Sequence, residues 1–280
     1  MTILLTGGTG KTGAVLARLL HAANQPFVVA NRSGKVPEPF TGVQFDWLNP
    51  ETFENLFKAH PDIDRVYLVV PQAPDLLPII GPFIDLCITK GVKRYVLLSA
   101  TQIAAGGPGH GKVHQYLLDK GVDYSVLRTT WFMQNFTLHQ DEIKEKDQIS
   151  TAMGNAKVPW ISTEDIAQAA FNDLTSEKSP NKEYFVLGPE LYSNEEATRL
   201  LSSVLGREIA CRKVTVEEKA GVYKELGFPA DFAAFVAHAE GDVAKNTEAP
   251  IMDEPAHRKY IGKHTLEQFF RENRHLWIKE

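Results

Sequence analysis

A short apolar run at the start of the chain leads directly into a glycine-rich turn. Residues 2–6 have a strand pattern, and glycines at 7, 10 and 13 precede an apolar helical pattern. The first glycine permits a tight turn, the second lets the backbone approach a pyrophosphate, and the third lets helix and strand pack closely. The helix N-terminus presents N–H groups to phosphates. This loop predicts a dinucleotide site formed by Gly7, Gly8, Gly10, Lys11, Thr12 and Gly13.

Strand and helix patterns alternate along the first 131 residues. Strands are predicted at 2–6, 26–31, 43–46, 65–70, 94–99 and 124–128, and helices at 50–58, 76–90 and 113–120. Asn49 is the expected N-cap of the first of these helices, and Gly91 and Gly121 are the expected ends of the other two. Alternating elements of this kind form parallel βαβ units. The predicted fold class is therefore α/β, a Rossmann-type doubly wound parallel sheet.

After residue 131 the alternation of strands and helices gives way to mostly helical patterns. Helical patterns occur at 162–174, 194–205, 216–226, 229–239 and 265–277, with one strand at 184–187. We expect residues 1–280 to form one domain, in which 1–131 are the NAD(P)-binding core. Residues 132–280 are then mostly a small helical cap over the substrate, with one or two added strands and no second sheet of any size.

Composition narrows the class of protein. The chain has 30 basic and 35 acidic residues and a formal net charge of −5, which argues against a general nucleic-acid binder. No apolar run approaches the length of a membrane span, and the chain opens with a strand pattern in place of a signal peptide. Its two cysteines are far apart and demand no oxidising compartment. We expect a cytoplasmic enzyme.

The residues after the second and third strands indicate which nicotinamide cofactor is bound. An acidic residue after the second strand binds the ribose 2′-OH of NAD, whereas arginine suits the 2′-phosphate of NADP. The chain has Asn31, Arg32 and Ser33 there, which favours NADP(H), although Arg32 is also interpretable as a solvated loop residue. Asp46 and Trp47 follow the third strand, where related folds contact the adenine; the alternative is a surface turn.

The glycine pattern resembles that of the extended and atypical short-chain dehydrogenases, most of which use a serine and a Tyr-x-x-x-Lys pair. Ser99, after the fifth strand, is a candidate for catalysis and for cofactor binding. Tyr116 and Lys120 have the right mutual spacing, but they come at least one helical turn too late relative to Gly121. Counted back from that glycine, the lysine and tyrosine positions fall on Gly111 and Gly107. Tyr116 and Lys120 are therefore predicted not to be catalytic.

A missing proton donor leaves two explanations. Either the protein binds NADP without chemistry, or its substrate needs no proton on oxygen, as an iminium ion does. An iminium is best held by aromatic side chains. Trp131, Phe132 and Phe136, after the sixth strand, are predicted to line such a pocket, with core packing as the alternative for each.

Several stretches resemble the fungal ergot-alkaloid dehydrogenases, the festuclavine and agroclavine dehydrogenases among the NmrA-like atypical short-chain dehydrogenases. They are residues 45–49 (Phe-Asp-Trp-Leu-Asn), 96–100 (Val-Leu-Leu-Ser-Ala), 127–135 (Leu-Arg-Thr-Thr-Trp-Phe-Met-Gln-Asn) and 183–191 (Glu-Tyr-Phe-Val-Leu-Gly-Pro-Glu-Leu). Thr129 departs from the proline of the broader family. The resemblance implies NADPH-dependent reduction of a cyclic iminium, formed from chanoclavine-I aldehyde, to a clavine alkaloid. It does not fix which clavine is made.

Other interpretations stay open at this point. A general NAD(P)H-dependent quinone or azo reductase would also work without the tyrosine, and some NmrA-like proteins are non-catalytic NADP sensors. His110 and His114 are spaced to share a helix face, but no third ligand follows, so no metal is expected. The expected partner is a small-molecule alkaloid, and the oligomeric state is undetermined.

Overall fold

In the computed structural model, residues 1–73 and 75–279 are described, and their contacts divide the chain into two compact units. Unit 1 comprises 1–129 and 163–186, and unit 2 comprises 130–162 and the chain from Leu187 onward. The strands are β1 (Thr2–Thr6), β2 (Phe27–Asn31), β3 (Gly42–Gln44), β4 (Ile63–Leu68), β5 (Arg94–Ala100), β6 (Asp123–Thr129), β7 (Gln148–Thr151), β8 (Lys182–Leu187), β9 (Ala210–Lys213) and β10 (Lys259–Ile261).

The α-helices are α1 (Lys11–Ala22), α2 (Glu51–Ala59), α3 (Leu77–Thr89), α4 (His110–Asp119), α5 (Gln140–Lys146), α6 (Thr163–Thr175), α7 (Asn194–Leu205), α8 (Val216–Glu225), α9 (Ala230–Val243) and α10 (Leu266–Glu272). Four short 3-10 helices lie at Met133–His139, Ala249–Asp253, Ala256–Arg258 and Arg274–Leu276. Within the described part of the chain, each helix is too short or too polar to cross a membrane.

Unit 1 contains a parallel sheet with the strand order β8-β6-β5-β4-β1-β2-β3. In the centre of the sheet, Leu4 of β1 lies between Val28 of β2 and Val66 of β4, and all three side chains are fully buried. Helices α1 and α6 pack together, and α3 packs with α4. The predicted doubly wound Rossmann-type sheet is confirmed, and its carboxyl edge is where such folds bind ligands.

The observed units differ from the predicted division at residue 131. The sequence analysis assigned 163–186 to the C-terminal part, whereas the structure places these residues in unit 1. The reason is strand pairing, because β8 runs parallel to β6 with Leu127 opposite Tyr184. The parallel connection from β6 to β8 passes through α6, which makes it one more βαβ unit.

Two predicted boundaries shift for local reasons. The fourth strand was expected at 65–70, but β4 ends at Leu68, because the N–H of Val69 donates to the side chain of Thr6 (2.9 Å). The expected N-cap Asn49 is wrong by one position, since Pro50 is the N-cap of α2. The side chain of Asn49 still accepts a hydrogen bond from the N–H of Glu51 (3.2 Å).

Unit 2 has its own aromatic core and a small sheet that the sequence analysis missed. Strands β7 and β9 pair in parallel, with Ile149 opposite Cys211. Helices α7, α8, α9 and α10 confirm the predicted helical character of this part, whereas the mainly charged α5 was not predicted. The core includes Phe136, Trp160, Phe270 and Trp277. Strand β10 is followed by Gly262, whose N–H donates a hydrogen bond to the carbonyl of Leu187 (2.7 Å).

Candidate functional site

The glycine loop of unit 1 has the backbone geometry that its sequence predicts. Gly7 has a φ of +63°, a conformation that side chains disfavour. A Cβ on Gly13 would lie 2.4 Å from the carbonyl oxygen of Gly7, so α1 starts in direct contact with the turn. The N–H of Gly10 closes the loop on Gly7 (2.8 Å). The open face of this loop is the positive end of α1, which suits a pyrophosphate.

Side-chain hydrogen bonds join the glycine loop to β4. The hydroxyl of Tyr67 donates to Thr12 Oγ1 (3.1 Å), and Thr6 Oγ1 donates to the carbonyl of Tyr67 (2.8 Å). Burial raises the pKa of Tyr67, so its hydroxyl remains a donor at neutral pH. Thr12, predicted to bind the cofactor, therefore uses its buried side chain to fix the loop, and only its backbone belongs to the α1 N-terminus.

The segment after β2 forms a compact turn that presents Arg32. Asn31 Oδ1 accepts hydrogen bonds from the N–H and the hydroxyl of Ser33, both at 3.0 Å, and Asn31 Nδ2 donates to the carbonyl of Lys35 (2.8 Å). Arg32 is exposed and, within residues 1–73 and 75–279, has no hydrogen bond or ion pair. Asn31 and Ser33 thus shape the turn, while the Arg32 guanidinium remains available to a phosphate.

The two residues predicted to contact the adenine also have structural contacts. Asp46 Oδ1 accepts the N–H of Leu48 (3.0 Å), which forms a turn after β3. Trp47 is half-buried and lies edge-on to Phe45 and Phe83, with ring centroids 4.7 and 5.2 Å apart. The turn and the aromatic packing account for these positions without a ligand, so the adenine contact stays a prediction.

Ser99 lies at the carboxyl end of β5. Its side chain is 5% exposed, and its Oγ has no hydrogen-bond partner among the described residues. Its backbone carbonyl accepts from Thr129 Oγ1 (2.8 Å), which fixes the position. A buried hydroxyl without a partner is uncommon, and a ligand is one way to satisfy it. Ser99 therefore fits a nicotinamide cofactor bound at this edge of the sheet.

Tyr116 and Lys120 both contact Asp85 of α3. The hydroxyl of Tyr116 donates to Asp85 Oδ2 (2.8 Å), and Lys120 Nζ lies 2.6 Å from Asp85 Oδ1. Partial burial and the Asp85 carboxylate raise the pKa of Tyr116. A catalytic tyrosine of this class needs the opposite shift. The pair therefore joins α3 to α4 in a manner that favours its predicted exclusion from catalysis.

Gly107 and Gly111, the positions at which the family's tyrosine and lysine are expected, are crowded by the backbone. A Cβ at Gly111 would lie 2.4 Å from the carbonyl oxygen of Ala104, and one at Gly107 would lie 3.0 Å from the same oxygen. Contacts near 2.4 Å with backbone do not occur without a shift of the chain. A lysine at 111 would therefore require the backbone to move, and a tyrosine at 107 would fit tightly.

Unit 2 contains a small pocket with aromatic and polar side chains in its wall. It is lined by Trp131, Asn135, Phe136, Leu138, His139, Ser150, Thr151, Met153, Trp160, Asn194, Tyr223 and Glu240. Two of the three predicted aromatic residues, Trp131 and Phe136, belong to this wall. Phe132 instead pairs its backbone with Ile161. Trp160, Tyr223 and Glu240 were missed, because they come from distant segments that share no motif.

Histidines do not form a metal site in the described part of the chain, where no group of three or more His, Cys, Asp and Glu side chains is placed to hold an ion. His114 is buried, and its Nδ1 lies 3.6 Å from Glu183 Oε2. Burial lowers the pKa of His114. A neutral histidine on the buried face of α4 fits a packing role.

Known proteins resemble this chain along most of its length. It is 38% identical over 286 residues to an agroclavine dehydrogenase of Claviceps fusiformis, with 99% of each chain covered. It is 43% identical over 258 residues to a festuclavine dehydrogenase of Aspergillus fumigatus, with 89% of each covered. A solved nucleoside-diphosphate-sugar epimerase from Staphylococcus aureus shares the fold, with a TM-score of 0.80 at 22% identity, covering 97% of this chain and 100% of that one.

The glycine loop itself is matched by a family profile. Residues 3–75 fit the NAD dependent epimerase/dehydratase family, which is consistent with a nicotinamide cofactor on unit 1. Together with the two fungal relatives, this match confirms the resemblance inferred from residues 45–49, 96–100, 127–135 and 183–191. The chain belongs to the family of the fungal agroclavine and festuclavine dehydrogenases, which are nicotinamide-dependent oxidoreductases.

Proposed function

We propose that this protein uses NADPH to reduce a cyclic iminium, formed from chanoclavine-I aldehyde, to a clavine alkaloid of the festuclavine or agroclavine type. The observation that carries the proposal is that glycines stand at 107 and 111, where the tyrosine and lysine of this class are expected, so the usual acid for carbonyl reduction is missing there. Kinship with fungal clavine dehydrogenases supports the substrate class.

An iminium suits a site without a proton donor. When hydride adds to the iminium carbon, the π electron pair of the C=N bond moves to nitrogen, and the product is a neutral amine. Carbonyl reduction would instead leave an alkoxide that requires a proton. The protein then has to position the reactants and exclude water, and the aromatic residues Trp131 and Phe136 stabilise the cation through their ring faces.

Several residues of unit 1 are proposed to hold NADPH, the source of the hydride. The backbone of the glycine loop and the α1 N-terminus bind the pyrophosphate. Arg32 binds the 2′-phosphate, because its guanidinium is exposed and unpaired within the described chain. Ser99 Oγ, which has no partner among the described residues, donates to or accepts from the nicotinamide end.

The proposal also covers the location of the protein and its partners. We place it in the cytoplasm, with a small-molecule alkaloid as the partner of the site and with neither nucleic acid nor membrane involved. The net charge of −5 is consistent with this view.

The test follows NADPH absorbance with purified protein, with and without chanoclavine-I aldehyde, and repeats the assay with an added thiol in case the iminium forms through an adduct. Oxidation that depends on the aldehyde, with a clavine product identified by mass, is the expected result. NADPH binding without oxidation would contradict it and indicate a sensor. Equal rates with simple quinones or azo dyes would indicate a general reductase.

A further inference from the structure

A chain of ionisable side chains lies along one wall of the aromatic cavity in unit 2. It runs from Glu142 through His139 and Lys219 to Glu240 and Tyr223. Lys219 is 0% exposed and Glu240 is 3% exposed. His139, Tyr223 and Glu240 also line the cavity itself. Buried charge beside a cavity needs an explanation, because desolvating ions is costly.

Glu240 of α9 is held rigidly at this wall. One carboxylate oxygen, Oε2, accepts the N–H of Ala152 at 2.8 Å and lies 3.5 Å from Thr151 Oγ1. The other, Oε1, accepts the hydroxyl of Tyr223 and lies 3.6 Å from Lys219 Nζ. Hydrogen bonds to both oxygens keep the carboxylate from turning away from the cavity. Its position is set before any ligand arrives.

The protonation of His139 fixes the charge of the cluster. Lys219 Nζ donates to the carbonyl of Ser150 (2.6 Å) and lies 3.5 Å from His139 Nε2. An ammonium only donates, so His139 Nε2 has to accept, and the proton of the ring sits on Nδ1, 2.8 Å from Glu142 Oε2. Burial and Lys219 both lower the pKa of His139, which agrees with a neutral ring.

The cluster contains two carboxyl groups, those of Glu142 and Glu240, and one amine, that of Lys219. Burial alone would raise the pKa of Glu142, but hydrogen bonds from His139 and Ser150 hold it at about 2. Burial lowers the pKa of Lys219, so the amine beside Glu240 offers less positive charge than an exposed lysine would. Trp131, Phe136 and Trp160 line the same cavity as Glu240, and aromatic rings and a carboxylate attract the same kind of ligand.

A second cavity of unit 2 has the same electrostatic character. It measures about 130 Å³ and shares Leu138 and His139 with the first. Its wall carries four acidic side chains and one lysine. The acids are Asp141, Glu142, Glu145 and Glu225, and the lysine is Lys146. A cleft of one sign raises the local concentration of opposite charge and speeds its capture.

From these observations we infer that the aromatic cavity selects organic cations and that Glu240 is its fixed counter-charge, with Lys219 and Tyr223 as positioning residues. The inference rests on the proposed function, and it adds which residues recognise the charge of the iminium. Trp131 and Trp160 line the cavity together with Glu240, and their rings contribute to holding the cation.

This role predicts a characteristic split between affinity and rate. Hydride addition removes the positive charge, so a counter-charge stabilises the bound iminium more than it stabilises the transition state. Glu240→Gln should therefore raise KM for the iminium by about tenfold while kcat stays the same or rises. A residue needed only for folding would lower kcat or the yield of folded protein without this split.

The direct test measures binding without turnover. The probes are a quaternary N-methyl clavine salt and the corresponding neutral lactam, and the signal is the fluorescence of Trp131 and Trp160. We expect the wild-type protein to prefer the cation by about tenfold or more and Glu240→Gln to lose most of that preference. Glu217→Gln is the matched control, because Glu217 is an exposed acid on α8.

Two further variants keep the test decisive if Glu240→Gln does not fold. The double variant Glu240→Gln/Lys219→Met removes both charges of the buried pair and should also lose the preference. Tyr223→Phe keeps the carboxylate and should retain it. Unchanged cation preference in either folded variant that lacks the Glu240 carboxylate would overturn the inference.

Separate measurements test the second cavity and the proposed function, so that the failure of each can be told apart. Asp141→Asn/Glu145→Gln should raise KM at low salt and change little at high salt, because screening weakens steering; equal effects at both would remove this cavity from the argument. If the wild-type protein selects the cation but does not reduce the aldehyde, the proposed function fails and the cavity assignment stands. If it reduces the aldehyde without cation preference, the assignment fails alone.

Discussion

The glycine loop of unit 1 and the aromatic cavity of unit 2 are built on opposite principles. The loop consists of consecutive residues whose backbone we propose to bind the cofactor, so its glycine positions should tolerate few side chains. The cavity takes its wall from segments between Trp131 and Glu240, and there the side chains define the chemistry. The comparison teaches that the cofactor site should be intolerant of added atoms, and the cavity sensitive to charge and shape.

The largest effect is expected for Gly13→Val, which tests whether the cofactor loop is intolerant of added atoms. The new Cβ would lie within 2.6 Å of backbone atoms of Gly7 and Gly8, so the start of α1 has to move away from the pyrophosphate position. We expect NADPH affinity to fall by about a hundredfold or more, measured by calorimetry. Gly221→Ala is the matched control, because a Cβ there meets open space and affinity should not change. Normal affinity in Gly13→Val would contradict the loop assignment.

The variant Arg32→Asp tests whether NADPH affinity also depends on a single side chain. Arg32→Asp replaces an exposed cation with an anion, which repels a 2′-phosphate but leaves the 2′-OH of NADH unaffected. We expect NADPH affinity to drop by about tenfold to a hundredfold and NADH affinity to change little. Titration with both cofactors makes NADH the internal control. Equal losses for both would remove Arg32 from the 2′-phosphate role.

Acid should weaken unit 2 through Glu142 and His139. The folded pKa of Glu142 is about 2, below its unfolded value, so its stabilisation is present above the unfolded pKa and is lost as the pH falls through that range toward 2. The lowered pKa of His139 acts in the same direction, beginning below its usual value. Denaturant unfolding monitored by tryptophan fluorescence should show a loss on the order of 2 kcal/mol between neutral pH and pH about 4.

The variant for this comparison is Glu142→Gln, which should be less stable at neutral pH and should show a flatter dependence on pH. The exposed acid of Glu217→Gln serves as its control and should follow the wild-type curve. Parallel curves for Glu142→Gln and wild type would mean that Glu142 does not carry the acid sensitivity.

The smallest expected effect comes from Tyr116→Phe. The change removes the hydrogen bond to Asp85 and nothing that the proposed reaction uses. Turnover should stay within about twofold of wild type, with a loss of about 1 kcal/mol in the free energy of unfolding. A hundredfold loss of turnover would restore Tyr116 as the catalytic acid and would undo the register that places the tyrosine position at Gly107.

The sequence was sufficient for the region whose function lies in its backbone. The strand β1, the turn at Gly7 and the start of α1 were all predicted, because glycine spacing reports backbone geometry directly. The extent of unit 1 was not predicted, since the pairing of β8 with β6 is a contact across distant sequence.

The cavity could be predicted only in part. Trp131 and Phe136 were expected in a pocket because they follow the end of β6, and both line the cavity, while their contact with the substrate stays a prediction. Glu240 and Tyr223 were not found, because each resembles an ordinary residue of an amphipathic helix until Lys219 is seen to be buried beside them. The strands β7 and β9 were missed because each has only four residues, too few for an alternating pattern to stand out.

The contact between Gly111 and Ala104 also bears on how this chemistry can change. Restoring the tyrosine and lysine of other short-chain dehydrogenases would require two large side chains at positions where even a methyl group meets the backbone. The lysine position is the harder of the two, because its Cβ would lie 2.4 Å from the carbonyl oxygen of Ala104. A laboratory conversion to alcohol or ketone chemistry therefore has to move the backbone at Ala104 as well as introduce the two side chains.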